Sequence, residues 1–320
     1  MLLHNDEKLL DEAIRATAHQ LSLPVAYVEK DYWVTRALKA LANSPLSEYV
    51  VFKGGTSLSK AYSLISRFSE DVDIAVLTEG LSKNQTKNRI KKVSKIVSSL
   101  YDEVESSDTS IHSTFRKNRF SYPRSDEAII EGQITDSILL EVNAFADPEP
   151  HKAMAISSYI SVFFRNSGQE SLIVQYELES FEMNVLCTSR TVCEKIMGLV
   201  KASYSDKHVE KLKQKIRHIY DIHFLLSDDF TREFVISSQF QQMVRSVIAC
   251  DRETFKTTPW FDEPLSKACI FSDFEEIWSL LDSTYNNEFK AMVIDKILPS
   301  KEMLHDSIQI VQQQLEIFDA

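Results

Sequence analysis

Only 6 of the chain's 320 residues are glycine, and two of them stand side by side as Gly54-Gly55. A chain so poor in glycine has few positions for the tight turns of an all-β protein, so a mainly helical fold is expected. The pair lies in "FKGGTSLSKAYSLISRFSEDVDIAV", residues 52–76. The preceding "SEYVVFKGG" is β-branched and aromatic and reads as a short buried strand. "TSLSKAYSLI" has helical spacing from Leu58 through Ala61 to Leu64 or Ile65. "SEDVDIAVL" alternates and reads as a second strand. There Asp71 and Asp73 share one face with Ser69, Val72, Ile74 and Val76 point to the core, and Glu70 lies on the apolar margin.

A strand, Gly-Gly-Thr-Ser and a helix form a layout that binds phosphate on backbone N–H groups. Thr56 and Ser57 are expected to add hydroxyl donors and to cap the helix. Two carboxylates on one strand face repel each other, and a divalent cation between them removes that cost. A solvated strand edge is the plain alternative for Asp71 and Asp73. GxxxxGK[ST] is absent, so this is not a P-loop NTPase, and a GxGxxG fingerprint is absent too. A nucleoside triphosphate with Mg²⁺ or Mn²⁺ is the simplest ligand that fits both halves. "DSILLEVNAFA" reads as a third strand, and its Glu141 is a candidate third carboxylate, with a strand-end acid reaching solvent as the alternative.

Elsewhere, residues 5–20 read as an amphipathic helix with Leu9, Leu10 and Ala13 on one face. A second helix is expected after Ser22 as N-cap and Pro24 in the first turn. Residues 82–101 read as a helix with a basic face. "HKAMAISSYISVFFR" and "SLIVQYELESFEMNVLC" carry strand-like runs. From Thr188 onward the pattern is almost wholly helical. The expected fold is α+β: a small mixed sheet in residues 1–187, with N-terminal helices, and a helical domain in 188–320 that completes the cleft.

The formal net charge is -11, so any contact with nucleic acid must use local patches. "KNQTKNRIKKVSK", "FRKNRF" and "KHVEKLKQKIRH" are such patches, although for any one of them a solvated face is the usual reading. The four cysteines form no zinc spacing and suggest buried thiols in a reducing, cytoplasmic setting. The charged start "MLLHNDEKLL" predicts no signal peptide, and no apolar run is long enough for a membrane span.

Lys-Gly-Gly-Thr-Ser, Arg-Phe-Ser-Glu-Asp and Asp-x-Asp together resemble the motif of DNA polymerase β-type nucleotidyltransferases. More narrowly, they resemble the AbiEii/AbiGii toxin family, which includes the MenT-like toxins. "VEKDYWV" is similar to that family's N-terminal helix, and "RTVCEKIMGLV" and "KIRHIYDIHFLL" are similar to two helical motifs downstream. The resemblance spans about residues 20 to 226.

It implies a toxin of a toxin-antitoxin or phage-defence system that transfers NMP from an NTP to an acceptor, foremost the 3′ end of tRNA. Gly54, Gly55, Thr56 and Ser57 would hold the phosphates, with Lys53 and Arg217 in the nucleotide-binding set. Asp71, Asp73 and, by strand position, Glu141 would hold the metal. Lys195 would contact the triphosphate, and Asp221 would be a further essential acid that positions the acceptor or acts as a base. A cognate antitoxin is the implied partner, and no membrane is. From the residues alone, Glu194 is an alternative partner for Lys195, and Arg217 and Asp221 are spaced for an intrahelical ion pair. A nucleotide-binding toxin or sensor without turnover, or transfer to a protein, are the rival readings.

Overall fold

The structure is a computed structural model that describes residues 1–69, 71–107, 109–124, 137–145, 147–254 and 259–320. Glu70 lies outside the described residues, as do Asp136 and Ala146 near the two ends of the third expected strand. The chain divides into two compact units, Met1–Tyr62 with Phe68–Val185, and Ser63–Arg67 with Leu186–Ala320.

The first unit opens with helices α1 (Glu7–Leu21) and α2 (Val25–Ala42), then strand β1 (Val50–Lys53), helix α3 (Gly54–Lys60) and strand β2 (Asp71–Val76). Helix α4 (Lys83–Ser98) leads into β3 (Asp102–Val104), β4 (Ser110–Ile111), β5 (Phe115–Ser121) and β6 (Ser137–Asn143). β7 (His151–Ile156), α5 (Tyr159–Asn166), α6 (Glu170–Gln175) and β8 (Phe181–Leu186) follow. Among the described residues the strands form one mixed sheet in the order β3-β5-β6-β2-β1-β8-β7, with β4 beside β5. β1 and β2 are antiparallel, β2 and β6 parallel, and β5 and β6 antiparallel.

Alternation on these strands sets the site. Val72, Ile74 and Val76 of β2 and Ile138, Leu140 and Val142 of β6 are all fully buried. They pack in one core with Ile90, Val93 and Val97 of α4. Burying each such side chain contributes about 1.5–3 kcal/mol. The intervening residues, Asp71 and Asp73, are thereby held on the opposite sheet face, half-buried. α4 begins with a capping box between Ser82 and Gln85.

Three expectations are corrected. Ser22 does not cap α2. It ends α1 in the left-handed conformation with φ 53°, and Pro24 stands at the N-cap of α2. The helix after the glycine pair stops at Lys60, and Ser63 has φ 53°. Part of each late strand-like run is helical: in α5, Ile160 and Phe164 are buried at i, i+4 spacing behind a Ser158 cap. Here helical periodicity and a cap outweigh β-branched and aromatic composition.

The second unit contains α7 (Thr188–Ser203), α8 (His208–Gln214), α9 (Ile216–Ser227), α10 (Asp229–Val235) and α11 (Ser238–Thr254). α12 (Cys269–Ser272), α13 (Phe274–Ser283) and α14 (Lys301–Asp319) complete it. α7 packs against α9 and α11, and α14 against α9. Val192, Ile196, Leu199 and Val200 of α7 and Ile219, Ile222 and Leu225 of α9 are fully buried. The segment Ser63–Arg67 enters this unit: Ile294 N–H donates to the Ser66 carbonyl at 2.9 Å, and Arg67 bridges Val293. All four cysteines are free thiols, and only Cys193 is fully buried. Among the described residues no helix is long and apolar enough to cross a membrane.

Candidate active site

Gly54 is the first residue of α3 and has φ +79°, a conformation that L side chains rarely adopt. Its reason is close at hand. A Cβ on Gly54 would lie 2.0 Å from Asp73 Oδ2 and 3.1 Å from Asp73 Cβ. Only a residue without a side chain lets the carboxylate of β2 rest on the first turn of α3. The glycine pair and the acidic strand are thus two sides of one contact.

The structure places the hydroxyls of Thr56 and Ser57 elsewhere than expected. α3 begins at Gly54, and Lys53, at its N-cap, makes no side-chain cap. Thr56 Oγ1 lies 2.6 Å from the Asp71 carbonyl, to which it donates, and 2.9 Å from Ser69 Oγ. Ser57 Oγ donates to the Gly54 carbonyl at 2.9 Å. Both residues are buried, at 1% and 0% exposure. Their hydroxyls therefore bind α3 to its own turn and to β2. What this turn can offer a phosphate is main-chain N–H groups.

Strand register brings four charged residues into one transverse row. Lys53 of β1 pairs with Asp73 of β2, Asp73 with Glu141 of β6, and Glu141 with Lys117 of β5. Residues paired across strands share a face, so all four lie on the face of Asp71. Lys117 Nζ is 2.9 Å from Glu141 Oε1, both side chains being about a quarter exposed. A divalent cation fits this donor set. Mg²⁺ prefers hard oxygen ligands and is commonly held by one or two carboxylates together with substrate phosphates, without a full protein cage. Asp71 and Asp73 supply such a pair, and Gly54 admits Asp73 to the turn. Among the described residues no three His, Cys, Asp or Glu side chains gather as a metal cluster. Glu141 thus shares the carboxylate face but is engaged with Lys117.

The remaining candidates meet in the second unit. Asp221 of α9 is wholly buried. Arg67 grips it with two parallel bonds, Nε to Oδ1 and Nη2 to Oδ2, each 2.7 Å. Lys195 of α7 donates to Oδ2 at 2.6 Å. Burial alone would raise the Asp221 carboxyl. The charges and hydrogen bonds of Arg67 and Lys195 overcome that and hold it well below the ordinary carboxylate range. Burial lowers the Lys195 ammonium; Asp221 opposes that fall and Arg67 adds to it. A carboxylate enclosed by two cations is poorly placed to accept a proton as a base. His218, its ring against Gly198, donates from Nδ1 to the Lys195 carbonyl at 3.3 Å. Burial holds that imidazole well below its ordinary value.

Two simpler pairings do not form. Glu194 bonds Arg190 at 3.3 Å rather than Lys195. Asp221 turns to Arg67 and Lys195 rather than to Arg217, which is half-buried one turn earlier on α9. Arg67 belongs to the Arg-Phe-Ser-Glu-Asp element, but nothing in that element points to Asp221. The usable signal was that an arginine beside an apolar run, once buried, needs a carboxylate. The buried pair Lys60–Asp31, 29 residues apart, likewise has no local mark in the sequence. Asp31 also accepts from the Tyr159 N–H at 2.8 Å, joining α2, α3 and α5.

A family model described as nucleotidyl transferase AbiEii toxin, type IV toxin-antitoxin system, matches residues 36–304. No curated protein matches the chain. Among solved structures, the fold is similar to MenT4, a nucleotidyltransferase toxin from Mycobacterium tuberculosis H37Rv, with a TM-score of 0.56. Identity is 14%, over 96% of this chain and 93% of that one, so the likeness concerns fold. Since the family match runs through most of both units, the chain belongs to the AbiEii family of nucleotidyltransferase toxins.

Proposed function

We propose that this nucleotidyltransferase moves NMP from an NTP to the 3′ end of tRNA, using a divalent cation held by Asp71 and Asp73. The observation that carries the reading is the Asp73 carboxylate lying against Gly54, where a methyl group would be 2.0 Å from Oδ2. A carboxylate thus lies beside a turn of main-chain donors, which supports reading the two as a metal ligand and a phosphate cradle. Main-chain N–H groups of Gly54 to Ser57 orient the phosphates, and Lys53 and Arg217 belong to the nucleotide-binding set. When bound, the cation supplies charge neutralisation at the phosphates and lowers the pKa of an attacking hydroxyl. Lys195 neutralises triphosphate charge, and Asp221 positions Lys195 and Arg67 rather than taking a proton. The antitoxin of the family's systems is the partner in the cell.

The test is incubation with each α-labelled NTP, Mg²⁺ and total tRNA. Label at the tRNA 3′ end is expected, with one nucleotide favoured, and loss of labelling in Asp73→Asn. Label on protein alone would replace the acceptor. Full transfer by Asp73→Asn would remove the metal assignment.

A further inference from the structure

The row Lys53, Asp73, Glu141, Lys117 contains two acids side by side with a lysine beyond each. Asp73 and Glu141 are register partners on neighbouring parallel strands, the closest approach two side chains can have there. Asp71, two residues from Asp73, adds a third carboxylate to the same face. Three such groups are the natural ligands of a hard cation, yet Glu141 is committed to Lys117 at 2.9 Å. Lys117 is on β5 directly opposite Glu141, with its side chain 26% exposed against 27% for the acid. Such a pair still reaches solvent over about a quarter of each side chain, so a divalent cation, with twice the charge, can compete with the lysine for Glu141.

We infer that Lys117 is a built-in competitor for the divalent cation: Glu141 joins Asp71 and Asp73 as a ligand only by giving up the lysine. The inference rests on the reading of Asp71 and Asp73 as the metal site and adds how that site is regulated. With Lys117 in place, two carboxylates face the ion. They bind a divalent cation weakly, so a cation arriving with the triphosphate, whose own oxygens complete the shell, is favoured over the free ion. The lysine keeps the third carboxylate charge-balanced until then and limits repulsion with Asp73. Lys117 is a positioning residue in this scheme and touches no reacting atom.

Binding of Mn²⁺ to the full chain without nucleotide, followed by the electron paramagnetic resonance of free Mn²⁺, tests this directly. Lys117→Met is expected to bind at least about tenfold more tightly than the native chain, the scale of one charge-assisted ligand set free. Lys117→Arg, which keeps the cation, is expected to bind like the native chain. Glu141→Gln alone is expected to change affinity less than about twofold, and in the double variant to erase the gain. Circular dichroism checks that each variant is folded. No gain in Lys117→Met overturns the inference, as does a gain that survives in Lys117→Met/Glu141→Gln, which would be general electrostatics. If Lys117→Met does not fold, a loss in Glu141→Gln as large as that in Asp73→Asn overturns it on its own. Native-like binding by Asp73→Asn removes the underlying metal site, and that result is read without any Lys117 variant.

Discussion

Gly54 carries two constraints at once, a left-handed backbone and the room for Asp73. In Gly54→Ala the left-handed conformation alone costs about 1–2 kcal/mol, and the clash with Oδ2 must then be relieved by moving Asp73. Displacing Asp73, the proposed metal ligand, by about 1 Å is enough to cost on the order of a hundredfold in rate. The expected result is a folded protein with a lower melting temperature and transfer reduced at least about a hundredfold. Native-like transfer in that variant would mean that Asp73 need not touch the turn. Asp221 makes a different demand. Asp221→Asn leaves Arg67 and Lys195 buried around a neutral amide and is expected to cost about 3–5 kcal/mol. The native carboxyl titrates below its ordinary value, so the unfolded chain binds the extra proton as pH falls. The stabilisation is therefore complete above about pH 5 and is lost as pH drops through the lowered native value. Urea unfolding of both proteins between pH 7 and pH 3 should show the gap shrinking toward the acid end; a constant gap would mean that burial, not charge pairing, dominates.

At the scale of elements, α3 is only seven residues long and needs anchors at both ends. Thr56 ties its first turn to β2, and Lys60 ties its last turn to Asp31 of α2. Lys60→Met removes one partner of a buried pair and is expected to destabilise the chain by about 3 kcal/mol or more. Adding Asp31→Asn should cost much less than the sum, a coupling that a double-mutant cycle by urea unfolding measures; full additivity would argue that the pair does not anchor α3. What was legible beforehand follows the range of the forces involved. The alternation of Asp71 to Val76 and the glycine pair that opens α3 are local, and both are found in the structure. Ser22 suggests a helix start because serine suits an N-cap, while its left-handed φ at the end of α1 leaves no mark in composition. α5 read as a strand because Tyr159, Ile160, Val162 and Phe163 are good strand residues, although their packing follows a helical period. The contacts of Asp221 with Arg67, 154 residues away, and of Lys117 with Glu141 depend on topology and register, which no local pattern encodes.

For the molecule as a whole, a net charge of -11 means that a polynucleotide is repelled except where cations are grouped. The two basic runs of the first unit are not equivalent. α4 exposes Lys83, Lys87, Lys91, Lys92 and Lys95, but its apolar side packs with Val72, Ile74 and Val76, on the sheet face opposite Asp71 and Asp73. β5 places Lys117 and Arg119 on the same face as the carboxylates, opposite Glu141 and Leu139 of β6. On the proposed reading, an acceptor end that reaches Asp73 meets the β5 face, and the α4 lysines lie behind the sheet from it. Replacing Lys87, Lys91 and Lys95 together with alanine should therefore leave nucleotide affinity and transfer unchanged. Stability should shift by no more than about 0.5 kcal/mol per position, as for ordinary surface changes. The decisive measurement is the slope of log binding constant against log salt for the proposed RNA acceptor. Each lost phosphate contact lowers that slope by roughly 0.7 to 0.9. An unchanged slope in the triple variant is the expected outcome and would leave α4 as a solvated face. A fall of about 2 or more would show that the RNA wraps onto the far side of the sheet, and the acceptor's path would have to be redrawn around α4.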